Sequence, residues 1–308
     1  MIKGDTCAYG DDHILEYWSS ASDQEYRTNT DPENFDYYEC LSCKTLVVSP
    51  MPFDNLSAIY PKNYYSFHSE NYNFLYKIKF KLDKAFIKKT MRHNQYSKMN
   101  ILDIGGGTGK LASLAKDALS AQQTCTFVVD LDEEARHEAE SDGHVFSCST
   151  FEKWEISEKM DLVLAYNILE HVPDPRLFLR KMAKVLSPEG RIILQTPNYK
   201  AFDAKLFKNL YWGGLHTPRH FYIYSKESLI EEIDKANLSI IKNSSTQAGH
   251  FWVCSILGTL QKKSIIDYKK PMYSRLSYKF LMPIFVCFDF ARIKFTNSSQ
   301  QLLILGKQ

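Results

Sequence analysis

A glycine-rich loop at residues 102–111, LDIGGGTGKL, constrains the fold of this chain more than any other segment. It follows the apolar run NILDI, which predicts a buried strand, and it leads into KLASLAKDAL, whose apolar spacing predicts a helix. Glycines between a strand and a helix let the backbone approach a ligand that side chains would exclude. The loop therefore predicts a ligand site at the carboxyl end of a strand.

The residues after the loop continue the alternation of strands and helices. Because helices of this length connect strands through right-handed crossovers, the pattern predicts an α/β fold with a parallel sheet. The expected strands are 126–130, 144–148, 161–167, 191–197, 238–244 and 301–307, and the expected helices are 132–143, 175–190 and 225–237.

Three regions are predicted along the chain. Residues 1–65 are a small Cys-containing module, residues 66–98 hold a basic amphipathic helix, and residues 99–308 are the main domain. The main domain carries an insertion at about residues 245–300, between its last two strands. The insertion is apolar and aromatic, so helices are expected there in place of a free loop.

Charge and apolar content exclude several classes of protein. A net charge of +2 gives no support for a broad basic face, so no nucleic-acid partner is expected. The N-terminus lacks the apolar core of a signal peptide, and the apolar run from Phe280 is much shorter than the roughly 20 residues that span a bilayer. Seven scattered cysteines favour a reducing compartment, so a cytoplasmic location is expected.

The loop can be compared with two phosphate-binding templates. A nucleoside triphosphate loop needs glycine where Ile104 stands and Ser or Thr where Leu111 stands. The dinucleotide fingerprint fits Gly105 and Gly107, but its third glycine falls on Lys110, which argues against a dehydrogenase. The pattern that remains is D-x-G-x-G-x-G.

The carboxylate of this pattern, Asp103, comes two residues before the first glycine. It would repel a pyrophosphate but suits a ligand with a cationic group, such as S-adenosylmethionine. Asp130 ends the second strand, where a carboxylate can accept both ribose hydroxyls. Together they favour an S-adenosylmethionine site. The structural alternatives are a tight turn for the glycine loop and a helix N-cap for Asp130.

On these residues the chain resembles the class I S-adenosylmethionine-dependent methyltransferases, over about residues 99–245. The segments YNILEHVPDP and LSPEGRIILQTPN extend the resemblance. It implies a Rossmann-like sheet of seven strands, the last of them antiparallel. The implied cofactor contacts are Asp103, Gly105, Gly107 and Gly109 at the methionine end, Asp130 at the ribose, Leu131 at the adenine edge, Ser149, Thr150 and Phe151 near the adenine, and Asn167 beside the amino-acid moiety.

The flanking segments YYECLSCKTLVVSPMP and YWGGLHTPRHF resemble a bacterial subgroup that often acts on sugars or other small metabolites and carries a four-cysteine zinc module. Here Cys40 and Cys43 form one C-x-x-C pair, but Cys7 is followed by Gly10 where a second cysteine is expected. Structural zinc takes four ligands, so His13 is the candidate fourth. The alternative is that the thiols are buried without a metal.

Methyl transfer requires alignment of the acceptor and removal of its proton, because the sulfonium is already activated. Candidate bases lie beyond the carboxyl ends of the strands, where ligands bind in α/β sheets. They are His220, which is preferred, and His171 and His216; structural hydrogen bonds are the alternative role. Arg219 is a candidate anchor for an acceptor phosphate or carboxylate.

The predicted reaction is O-methylation of a small-molecule acceptor, preferably a sugar or glycan-precursor hydroxyl on a sugar nucleotide or lipid-linked glycan. C- or N-methylation of another metabolite and a non-catalytic scaffold are the alternatives. The insertion is expected to be a lid with Phe251, Trp252 and Tyr273 in the acceptor pocket, and the helix at 71–93 to cover the same cleft. A homodimer interface and a peripheral membrane contact are alternative roles for the insertion.

Overall fold

The computed structural model describes residues 7, 13–26, 33–52, 59–60, 74–92, 97–119, 123–266 and 271–308, with only the backbone for 74–79. Gly10 and both ends of the expected helix at 71–93 lie outside these ranges. The strands are β1 (Leu15–Ser22), β2 (Asn34–Cys40), β3 (Thr45–Ser49), β4 (Lys98–Ile104), β5 (Gln123–Asp130), β6 (Val145–Cys148), β7 (Met160–Tyr166), β8 (Leu186–Pro197), β9 (Tyr222–Tyr224), β10 (Leu238–Thr246) and β11 (Gln300–Lys307).

Seven of these strands form the main sheet, in the order β10-β11-β8-β7-β4-β5-β6. Strands β4 to β8 pair in parallel, whereas β11 runs antiparallel to both β8 and β10. The inner strands are buried on both faces, as β7 shows with four consecutive buried residues, because helices cover the sheet on each side. The predicted seven-stranded sheet with an antiparallel last strand is confirmed.

A second sheet of four strands has the order β1-β2-β3-β9. Its first three strands come from the N-terminal module, but β9 belongs to the segment that follows β8. Strand β9 pairs antiparallel with β3, from Val47 opposite Tyr222 to Thr45 opposite Tyr224. The N-terminal module is therefore joined by backbone hydrogen bonds to the loop region that follows the fifth strand of the main sheet.

The helices pack on the sheets and begin where the sequence places capping residues. Ser225 accepts a hydrogen bond from the Ser228 backbone N–H at the start of α6 (Lys226–Lys235), and Asp174 caps α4 (Pro175–Val185) in the same way. The helix expected at 175–190 ends earlier, because Leu186 already pairs with Met160 in the sheet. The helices are α1 (Phe74–Thr90), α2 (Lys110–Leu119), α3 (Arg136–Ser141), α4 (Pro175–Val185), α5 (Phe202–Phe207), α6 (Lys226–Lys235), α7 (Gly249–Lys262) and α8 (Leu276–Arg292).

The insertion between β10 and β11 consists of α7 and α8, which confirms that it is helical. Its core contains Val253, Cys254, Leu257 and Met272, with Phe285 packed against them. Across the described parts of the chain, no helix combines the length and apolar content that crossing a bilayer requires.

Helix α1 packs on one face of the main sheet beside α2. Ile87 and Met91 are buried against Ile101 of β4 and Ala115 of α2. These side chains at the end of α1 therefore cover the sheet face. Asp83 is close enough to Tyr166, the last residue of β7, to contribute after burial to the raised pKa of that phenol.

Candidate active site

The glycine loop turns the chain from β4 into α2 through left-handed backbone conformations. Gly105, Gly107 and Gly109 have φ values of 68°, 52° and 78°. A Cβ atom on Gly105 would lie 2.9 Å from Cδ1 of Ile168, and one on Gly109 would overlap the His144 ring. Glycine is thus required here both by the backbone conformation and by close packing.

Asp103 lies beneath this loop and is buried. Its Oδ2 atom accepts the backbone N–H of Ala112, at 3.2 Å, in the first turn of α2. Burial raises the pKa of the Asp103 carboxyl to about 7, and the negative charge of Asp130 acts in the same direction. The side chain therefore fixes the start of α2 and places a titratable carboxyl directly under the loop.

Asp130 connects the loop to the end of β5. Its Oδ2 atom accepts the Gly107 N–H at 2.7 Å, and its Oδ1 atom accepts the Asp132 N–H at 2.9 Å. Each carboxylate oxygen has a second lone pair, so both can also accept ribose hydroxyls. Leu131 follows immediately and is 65% exposed, which leaves an apolar side chain free beside the loop.

The segment after β6 borders the same edge of the sheet. The Ser149 N–H donates to the Asp130 carbonyl at 3.0 Å, and the Thr150 carbonyl accepts the Lys153 N–H at 3.1 Å, which starts a turn. The Phe151 ring has a different environment from the one expected, because it is buried against Phe178. Ser149 and Thr150 lie at this edge, whereas the Phe151 ring belongs to the core beneath it.

Asn167 follows β7, the strand that pairs with β4, and its side chain is directed toward β8 and β11. It has a left-handed φ of 51°, and its N–H donates to the Gln195 carbonyl at 2.8 Å. Its Oδ1 atom accepts a hydrogen bond from Nε2 of Gln300 in β11, at 2.7 Å. The next residue, Ile168, is the one that contacts Gly105.

The three candidate histidines form one cluster. Their ring centroids are 4.7 Å apart for His171 and His220, 5.2 Å for His216 and His220, and 6.2 Å for His171 and His216. Nδ1 of His220 lies 2.8 Å from the Gly214 carbonyl, and Nδ1 of His171 lies 2.9 Å from the Arg219 carbonyl. Because a carbonyl only accepts, each Nδ1 carries the proton and Nε2 is the basic nitrogen of the neutral ring.

Burial lowers the pKa of these rings. The pKa of His171 falls to about 3, through burial and then the nearby His216, and the pKa of His220 falls well below its usual value through burial and both neighbouring histidines. Both rings are therefore neutral near pH 7, and they are weak bases, because the same burial disfavours the protonated form.

Glu170 also faces this cluster and was not among the candidates predicted from the sequence. It is fully buried, its Oε2 atom accepts the Thr196 hydroxyl at 2.9 Å, and burial raises its pKa to about 8. Its Oε1 atom has no hydrogen-bond partner within the described residues and lies 3.8 Å from Nε2 of His220. Two acceptor atoms facing each other favour a proton on one of them. The sequence feature from which Glu170 could have been predicted is its position directly before His171 in the segment LEHV.

His216 is paired with a carboxylate from the N-terminal module. Its Nδ1 atom lies 2.9 Å from Oε2 of Glu25. That oxygen also accepts the Tyr273 hydroxyl, and Oε1 of Glu25 accepts the Tyr211 hydroxyl at 3.3 Å. Burial alone would raise the pKa of Glu25, but its interactions with His216, His250 and Tyr273 together outweigh burial and lower the pKa. Because 191 residues separate Glu25 from His216, no local pattern predicts this pair.

The structure differs from three expectations about acceptor residues. Arg219 is fully buried and donates to Asp23 at 2.8 Å and to the Thr217 carbonyl at 3.0 Å, so it is engaged inside the protein and does not face a cleft. Phe251 and Trp252 are also buried and form part of the packing of the insertion. Tyr273 does reach the histidine cluster, through Glu25.

The four cysteine and histidine side chains predicted as zinc ligands lie together. Nδ1 of His13 is 3.1 Å from Sγ of Cys7 and 3.3 Å from Sγ of Cys40, and the Sγ atoms of Cys7 and Cys43 are 3.6 Å apart. A tetrahedral zinc ion with bonds of roughly 2.0 to 2.3 Å separates its ligand atoms by roughly 3.5 to 3.8 Å. Three thiols and one imidazole at this spacing fit a structural zinc ion.

Two other groups of side chains have ligand atoms within 4.8 Å of one another. One contains Glu170, His171 and His220, and the other contains Glu25, His250 and Cys254. Members of both groups already make hydrogen bonds inside the protein, as Glu170 does with Thr196 and Glu25 with His216 and Tyr273. The carboxylates of both groups are therefore hydrogen-bonded by protein donors.

Comparisons with known proteins agree with this geometry. Residues 78–243, more than half of the chain, match the family model of a methyltransferase domain. A ubiquinone biosynthesis O-methyltransferase from Bradyrhizobium sp. (strain ORS 278) is 33% identical over 165 residues, which are 49% of this chain and 61% of that protein. The corresponding enzyme from Nitrobacter winogradskyi is 30% identical over 174 residues, 52% of this chain and 64% of that protein.

The chain thus matches less than two thirds of the length of these curated relatives. Among solved structures, a coclaurine N-methyltransferase bound to N-methylheliamine and SAH has a TM-score of 0.50 and 14% identity. The likeness covers 84% of this chain and 80% of that one, and it shows the shared fold. The strand order, the glycine loop and the matched family model together establish that the chain belongs to the class I S-adenosylmethionine-dependent methyltransferases.

Proposed function

We propose that this protein transfers a methyl group from S-adenosylmethionine to a hydroxyl of a small-molecule acceptor, and that His220 removes the hydroxyl proton. The observation that carries the proposal is that the glycine loop and the histidine cluster lie next to each other at one edge of the sheet. A Cβ on Gly105 would be 2.9 Å from Ile168, and Ile168 begins the short segment that contains Glu170 and His171. The segment that begins at Ile168 therefore lies between the glycine loop and the histidine cluster and borders both.

The proposed roles follow from the geometry of the cluster. The cofactor, when bound, supplies a methyl group that is already activated. Nε2 of His220 accepts the acceptor proton, because its Nδ1 is held by the Gly214 carbonyl. Oε1 of Glu170, 3.8 Å from that nitrogen, stabilises the charged ring that results once the carboxyl, whose pKa is about 8, is ionised. Asp103, Asp130 and the glycine loop hold the cofactor, as the family resemblance implies.

The acceptor is proposed to be a sugar or glycan-precursor hydroxyl, on a sugar nucleotide or a lipid-linked glycan, because the flanking segments resemble a subgroup that often acts on sugars. A phenolic hydroxyl is the second candidate, since the curated relatives are named ubiquinone biosynthesis O-methyltransferases. Both acceptors must lose a proton from oxygen, and both therefore use the same base. C-methylation, N-methylation and a non-catalytic scaffold are the competing proposals.

The N-terminal module is proposed to hold one structural zinc ion through Cys7, His13, Cys40 and Cys43. The support is the spacing of their ligand atoms, all within 4.8 Å of one another. The ion would connect the start of β1 to the turn between β2 and β3. We also propose a cytoplasmic location, on the cysteine content alone.

His220→Asn tests the proposed function directly. We expect turnover on a hydroxyl acceptor to fall by roughly 10² or more, because a general base contributes that much, while the affinity for S-adenosylmethionine in calorimetry stays the same. The matched control is His137→Asn, an exposed histidine on α3 that should retain full activity. Acceptors should include sugar nucleotides and phenols, with S-adenosylhomocysteine release as the readout.

Full turnover in His220→Asn would overturn the assignment of the base. Loss of cofactor affinity in the same variant would assign His220 a structural role. A wild-type protein that binds the cofactor tightly but methylates no member of the acceptor panel would instead support the scaffold alternative.

A further inference from the structure

One face of α8 in the insertion is apolar and exposed. Leu276, Phe280, Ile284 and Phe288 recur every four residues and are 84%, 71%, 49% and 45% exposed. The opposite face packs on α7 and its surroundings through Tyr278, Leu281, Met282 and Phe285. An exposed row of large apolar side chains is unusual on the surface of a soluble domain, so it marks a contact surface.

The exposed residues form a continuous band on the helix. At about 100° per residue, Phe290, Leu276, Phe280, Ile284 and Phe288 fall within an arc of roughly 160°. Phe295, just beyond the helix, extends the band and is 87% exposed. From Leu276 to Phe290 the band runs about 21 Å along the helix, which has Pro283 in its interior.

The described charged residues of the insertion are mostly basic. Lys263, Lys279 and Lys294 are exposed in the same insertion. Asp289 is the one carboxylate within the described residues of 249–297, and it is buried and paired with Arg292, at 2.6 Å. An apolar face with lysines nearby complements a partner that has an apolar interior and a negatively charged surface layer.

We propose that α8 binds in the headgroup region of an anionic lipid membrane, with the band formed by Leu276, Phe280, Ile284 and Phe288 inserted below the headgroups. Helices that lie in the plane of the interface have this arrangement of aromatic, aliphatic and basic residues. Self-association is a weaker match, because a two-fold contact through this face would bring the lysines of both copies together. The inference does not depend on the methyl-transfer proposal.

Vesicle flotation tests the proposal with the full chain. We expect the wild-type protein to bind vesicles that contain phosphatidylglycerol, to bind phosphatidylcholine vesicles more weakly, and to lose part of its binding at high salt. Phe280→Glu/Ile284→Glu should lower anionic vesicle binding by roughly tenfold or more, since it places two charges in the apolar layer. Leu177→Glu, at another exposed apolar position on a helix, is the control and should bind like the wild type.

A second variant, Lys279→Glu/Lys294→Glu, should remove the preference for anionic lipid while its circular dichroism stays unchanged. Wild-type protein that fails to bind anionic vesicles, or a Phe280→Glu/Ile284→Glu variant that binds as well as wild type, would overturn the proposal. If light scattering found a wild-type dimer that becomes monomeric in that variant, without vesicle binding, the face would belong to a second copy.

Discussion

Arg219 and Asp23 form a fully buried ion pair between residues 196 positions apart, with Nη2 of the arginine 2.8 Å from Oδ2 of the aspartate. The Tyr26 ring lies against the guanidinium, whose Cζ atom is 4.7 Å from the ring centroid. The pair attaches the segment after β1 to the loop that contains His216 and His220. Because both charges have left water, each depends on the other for compensation.

Asp23→Ala should therefore lower the free energy of unfolding by about 3 to 5 kcal/mol, since it leaves the Arg219 charge buried without its carboxylate. Urea unfolding measures this loss. Asp117→Ala, at an exposed position on α2, is the control and should change the stability by less than about 0.5 kcal/mol. Unchanged stability together with a higher acceptor KM would instead restore Arg219 as an acceptor anchor.

Asp130→Ala should weaken S-adenosylmethionine binding by about 1 to 3 kcal/mol, because two ribose hydroxyls lose their acceptor. The variant also loses the hydrogen bond to the Gly107 N–H, so the loop becomes less well held. Calorimetry measures the affinity, and Asp132→Ala, two residues further along, is the control. An unchanged affinity would show that the ribose binds elsewhere.

The pH dependence of stability should reveal Asp103. Its pKa is about 7 in the folded chain against 3.8 for the free side chain. Between these two pH values the folded state keeps a proton that the unfolded chain has lost. The contribution of this proton to the free energy of unfolding is therefore complete below about pH 4 and is lost as the pH rises to about 7.

Asp103→Asn has no such proton. The unfolding free energy of the wild type minus that of the variant should therefore fall by a few kcal/mol from about pH 4 to about pH 7 and then stay level. Urea unfolding across this range is the measurement. A difference that does not vary with pH would mean that the carboxyl is already ionised beneath the loop.

Cys43→Ser should reduce bound zinc, because it removes one of four ligands whose atoms lie within 4.8 Å of one another. Elemental analysis of protein produced with added zinc is expected to give one ion per wild-type chain and far less in the variant. Cys125→Ser, at an exposed cysteine of β5, should retain the full amount. Wild-type protein without zinc under these conditions would favour buried thiols as the role of the cluster.

Local sequence patterns were sufficient for the main sheet and for the glycine loop. The strand before Gly105, the helix after it and the cap at Ser225 each depend on residues within a few positions of one another, and all three were predicted. The carboxylate of Asp130 was found in the same way, because its place at the end of β5 follows from the strand pattern alone.

Contacts between distant segments were beyond such reasoning. Glu25 meets His216 only because the N-terminal sheet packs against the later loop. Trp252 was expected in a pocket, but its indole N–H donates to the buried carboxylate of Asp289 on α8, at 3.2 Å, which turns the ring inward. An apolar helix in a sequence does not reveal which of its faces another helix will cover.

The pairing of β3 with β9 has a consequence for how this chain can vary. His220 lies two residues before β9, and the Phe221 carbonyl accepts the Val48 N–H at 3.1 Å. A recombinant that exchanged the N-terminal segment alone would bring in a foreign partner for β9 and could shift the register of the strand next to His220. The segment that contains β3 and the segment that contains His220 and β9 are therefore expected to be inherited together, although they are far apart in the gene.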